Sequence, residues 1–258
     1  GEKANMKITS INAITCSTDY NYINFLYKFL DSIEKYNINA DVYVRLVDFT
    51  EEQSNEVASK YNVNLIYDNP KLSSRRDVLK DVSHAMHYTY GLDLLNTGRK
   101  NIKKLLYSKR SVYTCHSRFK TINKLLEQRY KNILSLDVDT LVKKNIDHLF
   151  DNDEKYDLRT VTIIEEGIEY YFHNEGLLLI GNSNKSRDFF SKIEDYIFNN
   201  GERYLEWNVD SEALENVYKD SNISLGFIDK LYKDTEFSED AYMWSGDTNS
   251  KYDKRFDG

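Results

Sequence analysis

Lys131–Val142 reads KNILSLDVDTLV, and the reading of this stretch decides the fold. Ile133, Leu134, Ser135 and Leu136 form a short apolar run behind a charged, helix-like stretch. That is the pattern of a strand buried on both faces. The run leads straight into Asp137-Val138-Asp139. Residues i and i+2 of a strand point the same way, so both carboxylates should leave one side of the strand's end. Two anions that close repel each other unless a cation sits between them. A hard divalent ion, Mg²⁺ or Mn²⁺, meets that need with oxygen ligands and also takes substrate phosphate oxygens. The expectation is a metal–diphosphate site at the carboxyl end of a central strand, where open α/β sheets bind ligands.

A bare D-x-D is weak evidence. The chain has 24 aspartates, so roughly two such triplets arise by chance. A second one, Asp151-Asn152-Asp153, lies in a polar, loop-like stretch. The first stands apart through its context, an apolar strand before it and Leu141-Val142 after it.

Composition bounds the rest. A chain of 258 residues is one large domain or two small ones. A hydrophobic fraction of 40% suffices for a core, and a mean hydropathy of −0.66 argues for a soluble chain. No apolar stretch approaches the ~20 residues of a membrane span. No secretory signal is visible, so a cytoplasmic location is expected, with Gly1–Asn5 read as a cloning remnant before Met6. The net charge of −7 argues against a nucleic-acid partner. Cys16 and Cys115 suit a reducing compartment and have no metal-ligand spacing.

Outward from the central strand, the chain alternates strand and helix. Lys7–Cys16 reads as strand, followed by the turn cluster Ser17–Asn21. Tyr22–Tyr36 carries apolar residues at helical spacing. Asp41–Val47 is a second strand, Thr50–Tyr61 a helix capped by Thr50, and Asn64–Tyr67 a third strand. This spacing is that of a mononucleotide-binding half of an α/β sheet. A helix is expected from about Asp77 to Leu95 and another over Ser111–Arg129. His84 and His87 lie at i and i+3 on the former, with no third ligand evident, and read as ordinary helix residues. Beyond the D-x-D, Leu158–Ile164 and Leu177–Ile180 read as strands and Ser186–Phe198 as a helix. Glu206–Tyr218 reads as a short helix capped by Asp210, and Ile223–Ile228 as a last strand. The tail, Tyr242–Phe256, shows no regular pattern. With no repeats and no linker, one domain is expected over 1–258.

Four separated motifs, in order, resemble those of GT-A fold glycosyltransferases. They are most similar to family 8, the retaining family of glycogenin and the lipopolysaccharide galactosyltransferases. The first is Cys16-Ser17-Thr18-Asp19-Tyr20-Asn21-Tyr22, like the family's first strand–loop. The likeness implies that Asp19 accepts a uracil N–H, Tyr22 stacks on the ring, and Cys16, Ser17 and Asn21 line the nucleotide site. The second is Ser117-Arg118-Phe119, where the family has a cation near the diphosphate; a guanidinium there binds phosphate oxygens bidentately. The third, Leu136–Val142, is close to the family's LDxDxLV and makes Asp137 and Asp139 metal ligands, with Val138 by the ribose. The fourth is Asn174-Glu175-Gly176 before an apolar strand, followed by Asp210-Ser211-Glu212-Ala213-Leu214 where the family has D-Q-D-x-L. These two places hold donor sugar and acceptor in the family.

The resemblance implies a single α/β domain of GT-A type, Rossmann-like, with a central mixed sheet flanked by helices. Its nucleotide-binding half spans about 6–140 and its donor-sugar and acceptor half about 141–258. The departures are specific. Ser211 stands for Gln, Glu212 for Asp, and Glu175 for a small residue. The family's third metal ligand is a His three residues before a Gly; Met243 holds that place before Gly246. Asp247 is the substitute candidate and Lys251 the phosphate-binding Lys. These departures suggest a divergent branch, viral or bacterial.

The implied chemistry is metal-dependent transfer of a sugar from a nucleotide-diphosphate sugar, with UDP favoured, to a glycan, lipid-linked or protein acceptor. The metal, Arg118 and Lys251 would neutralise charge growing on the diphosphate. Retention follows either from same-face attack or from a carboxylate nucleophile such as Glu175. Asp210, Ser211 and Glu212 complete the candidate catalytic set; for Asp210 and Glu212 the alternative is helix capping and first-turn charge. Two competing functions remain open: a nucleotidyltransferase, which ordinarily has a Gly-rich loop absent from Cys16–Tyr22, and a non-catalytic sugar-nucleotide-binding protein.

Overall fold

Asn12–Asp19, the strand β1, lies near the middle of a seven-stranded sheet in the computed structural model, which describes residues 7–79, 106–128, 130–165, 168–170, 172, 176–246 and 250–257. The other strands are β2 (Asp41–Val47), β3 (Asn64–Asp68), β4 (Arg76–Leu79), β5 (Leu106–Ser108), β6 (Asn132–Leu136) and β7 (Thr140–Val142). After them come β8 (Leu158–Val161), β9 (Ile163–Glu165), β10 (Ile168–Tyr170), β11 (Leu177–Gly181), β12 (Leu225–Ile228) and β13 (Met243–Ser245). The described helices are α1 (Ile23–Lys35), α2 (Glu51–Lys60), α3 (Lys109–His116), α4 (Arg118–Glu127), α5 (Asn184–Phe198) and α6 (Val209–Lys219).

The sheet order is β12-β8-β11-β6-β1-β2-β3. Neighbours pair in parallel except β11, which runs antiparallel to both β6 and β8. The sheet is therefore mixed, and β1, β2 and β6 end at one edge. Its central strands are apolar on both faces because helices cover both. Ile14, Cys16, Leu134 and Leu136 pack with α1 and α2 on one side. Ala13, Ile133, Leu178 and Ile180 pack with α4, α5 and α6 on the other.

Local sequence accounts for most elements. In α1, Leu26, Phe29, Leu30 and Ile33 are buried at i, i+3, i+4 and i+7, one helix face. Thr50 and Gln53 close a capping box at the start of α2, with Glu51 and Glu52 in the first turn where the helix dipole favours anions. Ser183 and Ser186 form the equivalent box for α5.

Several boundaries differ from expectation. The first strand starts at Asn12 rather than Lys7. Ile8 and Ile11 are apolar but 56% and 63% exposed, and the segment is tied by Thr9 and Ser10 to the Asp41 carboxylate instead. In place of one helix over Ser111–Arg129 there are two, Lys109–His116 and Arg118–Glu127, broken at Ser117, whose hydroxyl bonds back to Thr114 O. Asp77 lies in a strand, β4, paired with β5, and not in a helix. The remainder of that expected helix, with His84 and His87, lies outside the described residues. Leu158–Ile164 divides into β8 and β9. The tail does contain a strand: β13 pairs antiparallel with β7, Met243 opposite Val142 and Ser245 opposite Thr140. Asp210 is not the helix cap, a place that Asn208 takes in the left-handed region with φ 67°. No described helix is long and apolar enough to cross a membrane.

Candidate active site

The site begins where β6 ends. The Asp137 N–H donates to Gly176 O (3.0 Å), and the Gly246 N–H donates to Asp139 O (2.7 Å). The residue before β11 and the residue after β13 thus clamp the D-x-D backbone. The break at Ser117 lets Arg118 open α4 beside it, buried, with Nε donating to Cys115 O (2.7 Å) and Nη2 to Asp137 Oδ1 (2.8 Å). Lys251 Nζ lies 3.2 Å from Asp139 Oδ2, and Lys233 Nζ lies 3.7 Å from Asp137 Oδ2. Two carboxylates therefore face a guanidinium and two ammonium groups.

The two carboxyls respond in opposite directions. Burial works to raise Asp137, but Arg118 and Lys233 outweigh it and hold the group below the usual carboxylate range. Burial and the Asp137 charge raise Asp139, with Lys251 opposing. Added positive charge between them would relieve that repulsion. Glycines keep the space open. A Cβ on Gly176 would stand 2.1 Å from Asp137 Oδ2 and 2.5 Å from Lys233 Nζ, and one on Gly246 3.1 Å from Asp139 Oδ2. Two carboxylates in a Cβ-free cradle fit a hard divalent ion completed by phosphate and water oxygens. Among the described residues no group of three His, Cys, Asp or Glu could hold a metal. Asp247, the expected third ligand, lies outside them.

These groups line a cleft of about 320 Å³. Ser17, Thr18, Asp19 and Tyr22 form one wall. Asp19 is buried at the end of β1; its carboxylate accepts from Asn21 N (2.9 Å) and from the Ser111 hydroxyl (3.4 Å). Burial raises its pKa. The Ser17 hydroxyl is buried and has no hydrogen-bond partner among the described residues, a feature that calls for a polar ligand or water. Tyr22 lies with its ring 5.2 Å from Lys251 Nζ, a cation–π distance.

Asp210, His116, Tyr107 and Trp207 line the cleft away from that wall. His116 Nδ1 is 2.7 Å from Tyr204 O, an acceptor, so Nδ1 carries the proton and Nε2 faces Asp210 Oδ1 at 3.6 Å. Burial works to raise the Asp210 carboxyl, but His116 and then Arg118 prevail and lower it. Asp210 is thereby kept ionised in a buried wall. Tyr107 stacks on Trp207 at 4.0 Å, 15° from parallel.

The structure brings together Ser17, Asp19, Tyr22, Arg118, Asp137, Val138, Asp139, Gly176, Asp210 and Lys251 around the cleft. Cys16 is not among its lining residues: its side chain points to the other face of β1, into the core with α1, and burial pushes its thiol up. Asn21 lines a neighbouring cavity with Tyr22, Lys251 and Tyr252. Glu212 does not line the cleft; it pairs with Arg203 (2.7 Å) and accepts from Tyr196. Ser211 also stands outside the lining, its N–H bonding Asp210 Oδ1 (3.0 Å). Asn174 and Glu175 lie outside the described residues. Met243, in the place of the family's histidine, is fully buried in the core. The second triplet has exposed Asp151 and Asp153, and its Asn152 only braces Tyr156. Sequence reasoning missed His116, Lys233 and the Tyr107–Trp207 pair. His116 stood two residues before a candidate cation, but nothing local paired it with Asp210, 94 positions on.

The chain was compared with known proteins. The model of the family described as Glycosyl transferase family 8 matches residues 13–209. No curated protein sequence matches. Among solved structures, the glycosyltransferase GlyE of Streptococcus pneumoniae TIGR4 is 16% identical, with a TM-score of 0.51 over 86% of this chain and 46% of that one. The galactosyltransferase LgtC, solved with donor and acceptor sugar analogues, is 19% identical, with a TM-score of 0.52 over 85% of this chain and 74% of that one. The bifunctional glycosyltransferase WbbM is 15% identical, with a TM-score of 0.52 over 88% of this chain and 40% of that one. These likenesses establish a shared fold. The chain spans less than half the length of GlyE and of WbbM.

Proposed function

The chain belongs to glycosyltransferase family 8, and from that premise we propose that it transfers a sugar from a nucleotide-diphosphate sugar, UDP favoured, to an acceptor hydroxyl with retention. The acceptor is a glycan, a lipid-linked sugar or a protein. The observation that carries this reading is the cluster at the end of β6, where Asp137 and Asp139 meet Arg118, Lys233 and Lys251 in one cleft. An anionic ligand with several oxygens, together with a divalent cation, would use both signs of that charge. On this reading one domain carries both functions, a nucleotide half to about residue 140 and a sugar half beyond it.

Asp137 and Asp139 would hold Mn²⁺ or Mg²⁺, which supplies Lewis-acid charge to the diphosphate. Arg118 donates to phosphate oxygens from a position already set by its bond to Cys115 O, and Lys251 adds a point charge. Asp19, Ser17 and Tyr22 take the base and ribose end. Asp210, held ionised by His116, accepts from a donor-sugar hydroxyl. Preorganised charge of this kind acts where negative charge develops, on the leaving diphosphate. We favour same-face attack for retention. The sugar C1–O bond to phosphate breaks, the acceptor oxygen bonds C1 on that face, and the acceptor proton passes to the departing phosphate oxygen. A nucleophilic route would fall to Glu175.

The test is release of free nucleotide from a panel of UDP-, GDP- and CDP-sugars with Mn²⁺, with and without simple sugar acceptors. Release from one nucleotide class, abolished by Asp137→Asn, supports the proposal. Metal-dependent nucleotide binding with no release, even to water, would leave a non-catalytic binding protein.

A further inference from the structure

Lys233 is the cation of the site that no motif assigns. It stands 96 positions after Asp137 and follows a one-turn 3₁₀ helix, Lys230–Tyr232. The backbone on either side of it is braced. Tyr242 N–H donates to Leu231 O (2.9 Å), Asp234 N–H to Met243 O (3.1 Å), and Ser245 N–H to Asp234 O (2.7 Å). The strand that clamps Asp139 through Gly246 therefore also delivers Lys233 to Asp137.

Its side chain is 13% exposed, and Nζ donates to Ser245 Oγ at 3.3 Å. The 3.7 Å separation from Asp137 Oδ2 is longer than a charge-assisted hydrogen bond, which is about 2.7–2.9 Å. An ammonium has three donors. One meets Ser245, and the Asp137 contact is an ion pair at a distance rather than a committed bond. Gly176 supplies the room: a Cβ there would lie 2.5 Å from Nζ. The group is thus half-buried, positioned by braced backbone, and opens onto the cleft that Arg118 and Lys251 share.

We propose that Lys233 is a diphosphate-binding residue: it grips a phosphate oxygen of the nucleotide donor from the Asp137 side, and it supports diphosphate binding even without a divalent ion. The inference rests on the glycosyltransferase reading of the cleft. Its alternative is a plain counter-ion to Asp137. The two part in an Asp137→Asn background, where a counter-ion has nothing left to neutralise and Lys233→Met is silent, while a phosphate-binding Lys233 still costs UDP affinity in EDTA. A phosphate-binding Lys233 beside a metal ligand attracts diphosphate and repels the metal. Its removal should weaken one and tighten the other.

The experiment is calorimetry of uridine, UMP and UDP binding to the full chain, wild type, Lys233→Met, Lys233→Arg, Asp137→Asn and the Asp137→Asn/Lys233→Met double variant, in EDTA and in Mn²⁺. Mn²⁺ affinity is measured separately by water-proton relaxation. Expected for Lys233→Met are about a tenfold loss of UDP affinity in EDTA, unchanged uridine affinity, and tighter Mn²⁺ binding. Lys233→Arg should recover most of the UDP affinity. Unchanged uridine binding and melting temperature show that the fold is intact. UDP affinity equal to wild type in Lys233→Met would overturn the inference and leave the site reading standing. Absence of UDP binding to the wild type, with or without Mn²⁺, would overturn both.

Discussion

Gly176→Ala isolates the geometry at the two carboxylates proposed to hold the metal. The new methyl would sit 2.1 Å from Asp137 Oδ2 and 2.8 Å from Asp137 Cγ, inside the 3.0 Å that real Cβ atoms keep. The backbone gives little. Gly176 O accepts the Asp137 N–H, and Leu177 pairs with Leu136 in the next register position. Lys233 cannot absorb the clash alone, because the worst contact is with Asp137. The carboxylate must therefore move by about an ångström, away from Arg118 Nη2 at 2.8 Å. An off-rotamer side chain costs about 0.5–1.5 kcal/mol, and a hydrogen bond to a charged group about 1.5–3 kcal/mol. The sum is about 2–4.5 kcal/mol, concentrated at one carboxylate. About 3 kcal/mol of that, taken from metal–diphosphate binding, is on the order of 100-fold in affinity. We expect Gly176→Ala to melt cooperatively, to keep uridine affinity, and to lose about two orders of magnitude in UDP affinity with Mn²⁺ by calorimetry. Wild-type affinity in this variant would refute the claim that Gly176 is there to make room for Asp137.

Further predictions follow from other groups. His116→Phe removes the imidazole beside buried Asp210, whose carboxyl then loses the interaction that lowers it; turnover should fall at neutral pH and recover as pH rises, a shift in the pH–rate profile that checks the pairing. Asp41 is subject to burial, which raises it, but bonds from Thr9, Ser10 and Tyr130 prevail and lower it. A lowered folded pKa contributes stability that is present above the unfolded value of about 4 and is lost as pH falls through the folded one. Asp41→Asn should therefore lower the melting temperature at pH 7 by about 4–8 °C and flatten its decline in acid; an unchanged acid slope would contradict the assignment. Trp207→Ala should remove the stack on Tyr107, about 1 kcal/mol of contact, and lower the melting temperature by about 2–4 °C in scanning calorimetry; an unchanged melting temperature would show that the stack adds nothing to stability.

The central strand and its two aspartates were legible because their signal is local: an apolar run, then charge. The α1 face and the Thr50 cap were legible for the same reason. Cys16 shows where local reading stops. It stands within a nucleotide-loop motif, yet alternation along β1 sends it into the core while Ser17, on the opposite face, lines the cleft. Glu212 shows it again, since Arg203 and Tyr196 compete for that carboxylate and hold it elsewhere. β13 is three residues long, too short for alternation to register, and only its pairing with β7 carries Gly246 and Lys251 to Asp139. Ile8 and Ile11 read as strand by type but lie outside the sheet, where the N–H groups of Thr9 and Ser10 between them bond the Asp41 carboxylate. Lys233 and His116 act through partners about a hundred positions distant, and no periodicity encodes such pairings.

The measurement that bears most directly on the site is calorimetric titration of UDP, GDP and CDP into the wild-type chain, each with and without Mn²⁺. The account predicts that UDP binds, that Mn²⁺ strengthens it, and that Asp139→Asn removes the metal-dependent part while leaving the fold intact. Equal, metal-independent affinity for all three nucleotides, or binding unaffected by Asp139→Asn, would contradict it.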